Sequence, residues 1–270
     1  MNDTRVLWGC FIALVTCAFG FVIRTQVIGD WATEFSLDET EKGRILAVGF
    51  WPFAFSIFFL SLFIDRLGYG ITALFGFVCH LISTYMLVTA KNADMLYWGT
   101  FIFALSNGTV EAYINPAIAS MYSNEKTKWL NILHAGWPGG IVLAGMLGIA
   151  MADLNWQWKI GLTLVPTIAY GLLLFGTKFP VSERVVAGVT YREMLADFGA
   201  LGAFAAVYLI ALTVFDLKLL VDLDEVLGKG EPVSPITPFL VALIPAAIAA
   251  ALFGAITQSL GRPIYFLLLL

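Results

Sequence analysis

Glu111 stands in the run "SNGTVEAYINPAIASM", residues 106 to 121, with Asn107 four residues before it and Asn115 four residues after. Ionising a carboxylate deep in a bilayer costs between about 2.5 and well over 10 kcal/mol, so such a residue faces a polar cavity, finds a partner or takes up a proton. The spacing of four and then eight residues predicts that all three side chains fall along one helical face. That face is expected to line a cavity, with Glu111 exchanging protons. The plainer alternative is a glutamate that pins helices together through hydrogen bonds. Arg24 is the obvious partner for it. Its long stem either carries the charge out to the interface or turns inward, where the planar fork can pair with Glu111 or hold an anionic group on a substrate. Gln26, two residues on, joins Arg24, Asn107 and Asn115 in the expected lining of the site. Histidine is the side chain that ordinarily changes charge near neutrality, but His80 and His134 are each expected to serve as a helix-to-helix hydrogen-bonding group.

The elements that must position these residues are membrane spans. The 270 residues are 60% hydrophobic and 13% charged, with a mean hydropathy of +0.86, whereas soluble domains carry about 25% charge. Apolar stretches of the length needed to cross hydrocarbon run over approximately 7–29, 45–64, 71–90, 95–121, 132–152, 159–178, 198–220 and 237–258, and a ninth starts near Ile264. The expected fold is an all-α integral membrane protein. Cys10, Cys17 and Cys79 fall inside spans without metal-ligand spacing and read as small apolar fillers. Trp31, Trp98, Trp129, Trp156 and Trp158 lie near span ends, where an interfacial belt places them. Lys and Arg are more frequent in the loops that are internal when the N-terminus is internal. The expected location is therefore the plasma membrane, or the cell inner membrane of a bacterium, with a cytoplasmic N-terminus.

Between the second and third spans the chain reads "SLFIDRLGYG", with Asp65, Arg66 and Gly68 in a tight turn. At this place in a six-helix block the turn resembles the loop motif of the major facilitator superfamily. Ser61 stands for its leading glycine, and Tyr69 and Gly70 for its trailing basic residues. The resemblance implies that Asp65 and Arg66 belong to a charged cytoplasmic latch. The fourth and fifth spans, "GTVEAYINPAIASMYSNEKTKWLNILHAGWPGG", carry a glutamate followed by Asn115-Pro116 and then a glycine-rich helix. That order resembles the sugar–proton symporters of the superfamily, the fucose and glucose/galactose branch. By that resemblance Glu111 carries the proton and Asn115 sits beside the sugar. The branch's acidic residue in the first helix has no counterpart before Asp30.

Gly136, Gly140, Ala144 and Gly148 recur every four residues, which predicts a groove for a close helix neighbour, and Pro138 predicts a kink used in gating. The same stretch loosely resembles a glycine-proline motif of antiporters. The expected organisation is a six-helix N-terminal transmembrane bundle over 1–178 and a linker over 179–197 that holds a surface helix capped by Ser182. Two further helices follow over 198–258, and the truncated start of a second bundle over 259–270. The chain thus reads as the first part of a transporter whose second six-helix bundle is missing. Its expected function is proton-coupled symport of a sugar or similar polar solute. The alternatives are an antiporter exporting drugs or organic anions, and a sensor or scaffold that does not transport. Phosphate loops, zinc-type histidine pairs and nucleophile elbows are absent from the sequence, so no enzyme activity, cofactor, metal or nucleic acid is expected. The expected partners are the solute, protons and the bilayer.

Overall fold

The computed structural model describes residues 2–216, 221–229 and 231–262, and no strand occurs among the described residues. The expected ninth span near Ile264 lies outside them, as do residues 217–220 at the end of the seventh. The chain divides into two compact units, Met1–Val185 and Val186–Leu270. The division falls inside the stretch expected to be a linker.

The first unit holds α1 (Asn2–Phe35), α2 (Glu39–Ala47), α3 (Trp51–Leu67), α4 (Tyr69–Val88), α5 (Ala93–Met121), α6 (Lys126–His134), α7 (Gly136–Ala150), α8 (Trp156–Gly161) and α9 (Leu164–Leu174). Three expected spans are each delivered as two helices: α2 with α3, α6 with α7, and α8 with α9. Each break precedes a proline, Pro52, Pro138 or Pro166. Having no N–H, these cannot bond the carbonyls four residues back, those of Val48, His134 and Leu162. The kink expected at Pro138 therefore takes the form of a break at Ala135.

Six stretches among the described residues are long and apolar enough to cross a membrane: Asn2–Phe35, Glu39–Leu67, Tyr69–Val88, Lys126–Ala150, Tyr191–Phe215 and Thr237–Thr257. Two expected spans fall outside this set. The fourth is one unbroken helix, α5, diluted by its polar residues, while the sixth is split into the short pieces α8 and α9. The fold is all-α and multi-pass.

At 34 residues α1 is about 50 Å long, well beyond the ~30 Å of a hydrocarbon core, and it forms the axis of the unit. It packs on α5, α7 and α9. One apolar cluster gathers Leu14, Cys17, Tyr113, Ile114, Leu133 and Tyr170; a second gathers Phe19, Ile23, Trp31, Leu96, Trp156 and Ile160. All three cysteines are buried and unpaired, in keeping with their reading as fillers. The stripe on α7 meets α1: a Cβ added at Gly140 would lie 2.7 Å from the Val15 carbonyl oxygen and 2.9 Å from Ala18 Cβ. Here the backbones approach as closely as the repeat of small residues predicts.

The tryptophans divide. Trp98 and Trp158 are exposed, as a belt requires, whereas Trp31 and Trp156 meet edge to face inside the core with ring centroids 6.0 Å apart. The Trp156 indole N–H donates to Glu34 at 2.5 Å. At the start of α6, Lys128 lies 3.0 Å from Glu125 in the preceding turn and holds its carboxyl below the usual carboxylate range.

After Pro180 the single turn α10 (Glu183–Val186) follows Ser182, whose hydroxyl accepts from the Val185 N–H at 3.4 Å. In the second unit α11 (Tyr191–Asp216) packs against α13 (Thr237–Thr257), with the one-turn α12 (Leu223–Val226) between them in sequence. Thr190 and Glu193 form a reciprocal cap at the start of α11, the Thr190 N–H donating to the Glu193 carboxylate at 2.8 Å and the Glu193 N–H to the Thr190 hydroxyl at 3.2 Å. The α11 backbone leaves helical geometry at Gly199 (φ 62°), so two helical segments share one element.

Candidate functional site

The polar series on α5 divides between two networks. Asn107 is buried, and its side-chain oxygen lies 3.0 Å from Nε2 of His80 on α4. The other ring nitrogen of His80 is 2.9 Å from the hydroxyl of Tyr170 on α9. A neutral imidazole satisfies both partners, donating from Nε2 to Asn107 and accepting the Tyr170 O–H at Nδ1. The three residues bind α4, α5 and α9 to one another, and the exposure of each is 2% or less.

One turn along, the Asn115 amide donates to the Glu111 carboxylate at 3.0 Å and to the Glu111 backbone carbonyl at 3.2 Å. Its oxygen lies 2.9 Å from Nε2 of His134, at the end of α6. With the Asn115 amide turned toward Glu111, the imidazole must donate from Nε2. Glu111 and Asn115 are half-buried and His134 is exposed. No ion pair engages Glu111 among the described residues. The carboxylate is therefore held by a neutral amide.

The expected stripe of three is thus not one surface. At about 100° per residue, positions four and eight along are turned by roughly 40° and 80°. That is enough for Asn107 to meet α4 and α9 while Asn115 meets α6. The structure brings together Glu111, Asn115 and His134, and a separate trio around His80.

Arg24 does not reach out along its stem to the surface. It is 4% exposed, its guanidinium carbon 4.2 Å from the centre of the Phe103 ring, and its Nη1 has no hydrogen-bond partner. It forms no ion pair with Glu111. Gln26, one of the expected lining residues, is exposed, and its side-chain amide covers Gly148 closely enough that a Cβ there would clash with it.

At the turn after α3, Gly68 adopts φ 79° and accepts the Thr72 N–H at 3.2 Å while its own N–H donates to Ile64 at 2.7 Å. A side chain is disfavoured at this angle, so the glycine is required. Asp65 pairs with Arg184, its carboxylate nearly buried, and Arg66 is exposed. Pro138 lies near the start of α7, beside the helix break. Among the described residues no cluster of three or more His, Cys, Asp and Glu side chains is placed to hold a metal ion.

His134, expected as a helix-to-helix hydrogen-bonding group, does join α6 to α5, and through Asn115 it carries the link to Glu111, a role not expected from the sequence. Its position was accessible: Asn115 lies seven residues before Tyr122 and His134 nine after Glu125, the ends of the turn that folds α6 back on α5. Residues at similar distances from a helical hairpin's turn, here within about half a helical turn of each other, can meet. Trp31 and Thr100 leave buried polar atoms without partners beside Arg24, and no spacing pattern signals that.

No curated protein matches the chain. The family model of the Major Facilitator Superfamily matches residues 9–270, nearly the whole length. With its all-α multi-pass architecture, the chain belongs to the Major Facilitator Superfamily of membrane transporters.

Proposed function

We propose that the protein is a secondary active transporter that couples proton movement to symport of a sugar or similar small polar solute by alternating access, with Glu111 as the proton carrier. The observation that carries this reading is the setting of Glu111: a carboxylate within an apolar bundle whose partner is the neutral amide of Asn115. Protonation and deprotonation there break no salt bridge. Asn115, Gln26 and Arg24 line the substrate path, while Asn107 holds α4 in place beside it. Asp65, paired with Arg184, and Arg66 form a latch on the cytoplasmic side, Gly68 shapes its turn, and Pro138 lets α6 and α7 bend as access alternates. The N-terminus is cytoplasmic, and the membrane is the plasma membrane or a bacterial inner membrane.

In proteoliposomes with an inward proton gradient, the protein is expected to accumulate its solute against a gradient and to acidify the lumen as it does so. Glu111→Gln should abolish accumulation while solute exchange without a gradient continues. Uphill uptake that survives in Glu111→Gln refutes the proton assignment.

A second reading, antiport of organic anions or drugs, draws on Arg24, buried and without a carboxylate partner. It predicts the opposite coupling, with proton entry driving solute exit. The sign of the solute flux under one imposed gradient separates the two.

A further inference from the structure

Between α1, the turn from α2 to α3, and α5 lies a cavity of about 190 Å³, room for a group several times the size of a water molecule. Three of the residues lining it each leave a polar side-chain atom unpartnered: Arg24 Nη1, Trp31 Nε1 and Thr100 Oγ1. The three are 4%, 0% and 2% exposed. A buried N–H without an acceptor forfeits its desolvation free energy, and a buried cation without a counter-charge forfeits more. The Phe103 ring supplies part of what the guanidinium lacks, through its negative face, but accepts nothing from Nη1. Two N–H groups, one carrying full charge, and one hydroxyl call for an acceptor with negative charge.

We propose that this cavity is an anion site that takes a small organic monocarboxylate. The charge follows from the lining, in which Arg24 is the one ionisable side chain; a dianion would bring a second charge into low dielectric with nothing to offset it. A carboxylate's two oxygens suit the planar fork of arginine, and the hydroxyl of Thr100 and indole N–H of Trp31 supply the remaining donors. The body of the ligand follows from the other walls, chiefly Phe21, Ile45 and Phe50. They are apolar, so a short aliphatic or single-ring group completes the fit. The site shares Arg24 with the organic-anion reading but needs no flux. Binding without transport would retire that reading and keep the site, whereas anion efflux indifferent to Arg24→Gln would do the reverse.

Calorimetric titration of the purified protein in detergent tests it, with sodium benzoate and sodium butyrate as probes, benzyl alcohol as the uncharged control, and inorganic phosphate and phosphatidylglycerol micelles as competing sources of anionic oxygen. Saturable binding of benzoate or butyrate is expected, with none of benzyl alcohol. Arg24→Gln should weaken binding by about tenfold or more, and Thr100→Val by about threefold to tenfold. If Arg24→Gln fails to fold, Thr100→Val and Trp31→Phe, which leave the charge in place, carry the test through the same weakening. Absence of saturable carboxylate binding, or equal affinity in all the variants that fold, overturns the site. Phosphate or phosphatidylglycerol that binds as tightly as benzoate overturns the monocarboxylate.

Discussion

The two networks on α5 begin one turn apart and differ in where they end. Tyr170, His80 and Asn107 form a closed chain in which each group is buried and the imidazole has a partner at both nitrogens. Glu111 and Asn115 instead lead to His134, which is exposed. A closed buried chain is a structural joint: its members are costly to remove and gain nothing by changing protonation. A chain with one end at the surface can change its charge without stranding a buried group. Polarity inside a membrane helix thus marks two different jobs, and the terminus of the network tells them apart.

The largest effect should come from cutting the closed chain. His80→Ala leaves the Asn107 oxygen and the Tyr170 hydroxyl buried without the imidazole that bonds each of them, and opens space beside Phe103, whose ring centroid is 4.7 Å from that of His80. A loss of about 2 kcal/mol or more is expected, read as a fall of roughly 4–8 °C in melting temperature in detergent. Glu111→Gln is the contrast. It keeps the Asn115 contact and removes a charge, so its melting temperature should equal or exceed that of the parent, while proton-driven uptake is lost. If Glu111→Gln melts as early as His80→Ala, the open chain is a joint as well, and the distinction fails.

How much of this was legible before the structure depends on the reach of each interaction. Apolar length announces a helix wherever backbone bonds continue, so all eight described spans appear as helical segments near their expected places. The kink expected at Pro138 appears as a break, and the breaks before Pro52 and Pro166, which were not expected, have the same cause in the carbonyls those prolines cannot serve. Glu111 stood out because its charge is costly whatever surrounds it. What surrounds it could not be read from α5 alone, since a turn of some 80° between Asn107 and Asn115 decides whether α4 or α6 is met. Arg24 shows the same limit: the stem of an arginine allows inward and outward placement equally, and only the packing of Phe103 and Gly20 against each other fixes the inward one. Trp31 and Trp156 near span ends carried the signature of a belt, yet they turn into the core, where Trp156 meets the Glu34 carboxylate.

An intermediate effect tests the middle of the open chain. Asn115→Leu removes the donor to Glu111 and the acceptor for His134 together, and a net loss of about 1 kcal/mol is expected because water can reach the partners from the exposed side. Uptake driven by protons should fall by more than stability does, on the order of tenfold, because Glu111 loses the one amide that fixes its position. Equal uptake in Asn115→Leu and the parent would detach Glu111 from its neighbour.

The smallest effect belongs to His134. Its ring is exposed and water can replace it at the Asn115 oxygen, so His134→Ala should change stability by less than about 0.5 kcal/mol. The informative quantity is uptake, compared between His134→Ala and His134→Gln. A glutamine amide can still donate to Asn115, so if His134 acts by holding the amide toward Glu111, glutamine restores the few-fold loss that alanine causes. If instead the imidazole itself hands protons on, alanine and glutamine are equally slow, because neither side chain titrates. Either pattern, with the melting temperature unmoved, keeps the open chain distinct from the closed one. A fall in melting temperature as large as that of His80→Ala would make His134 a third joint and remove the surface end on which the contrast rests.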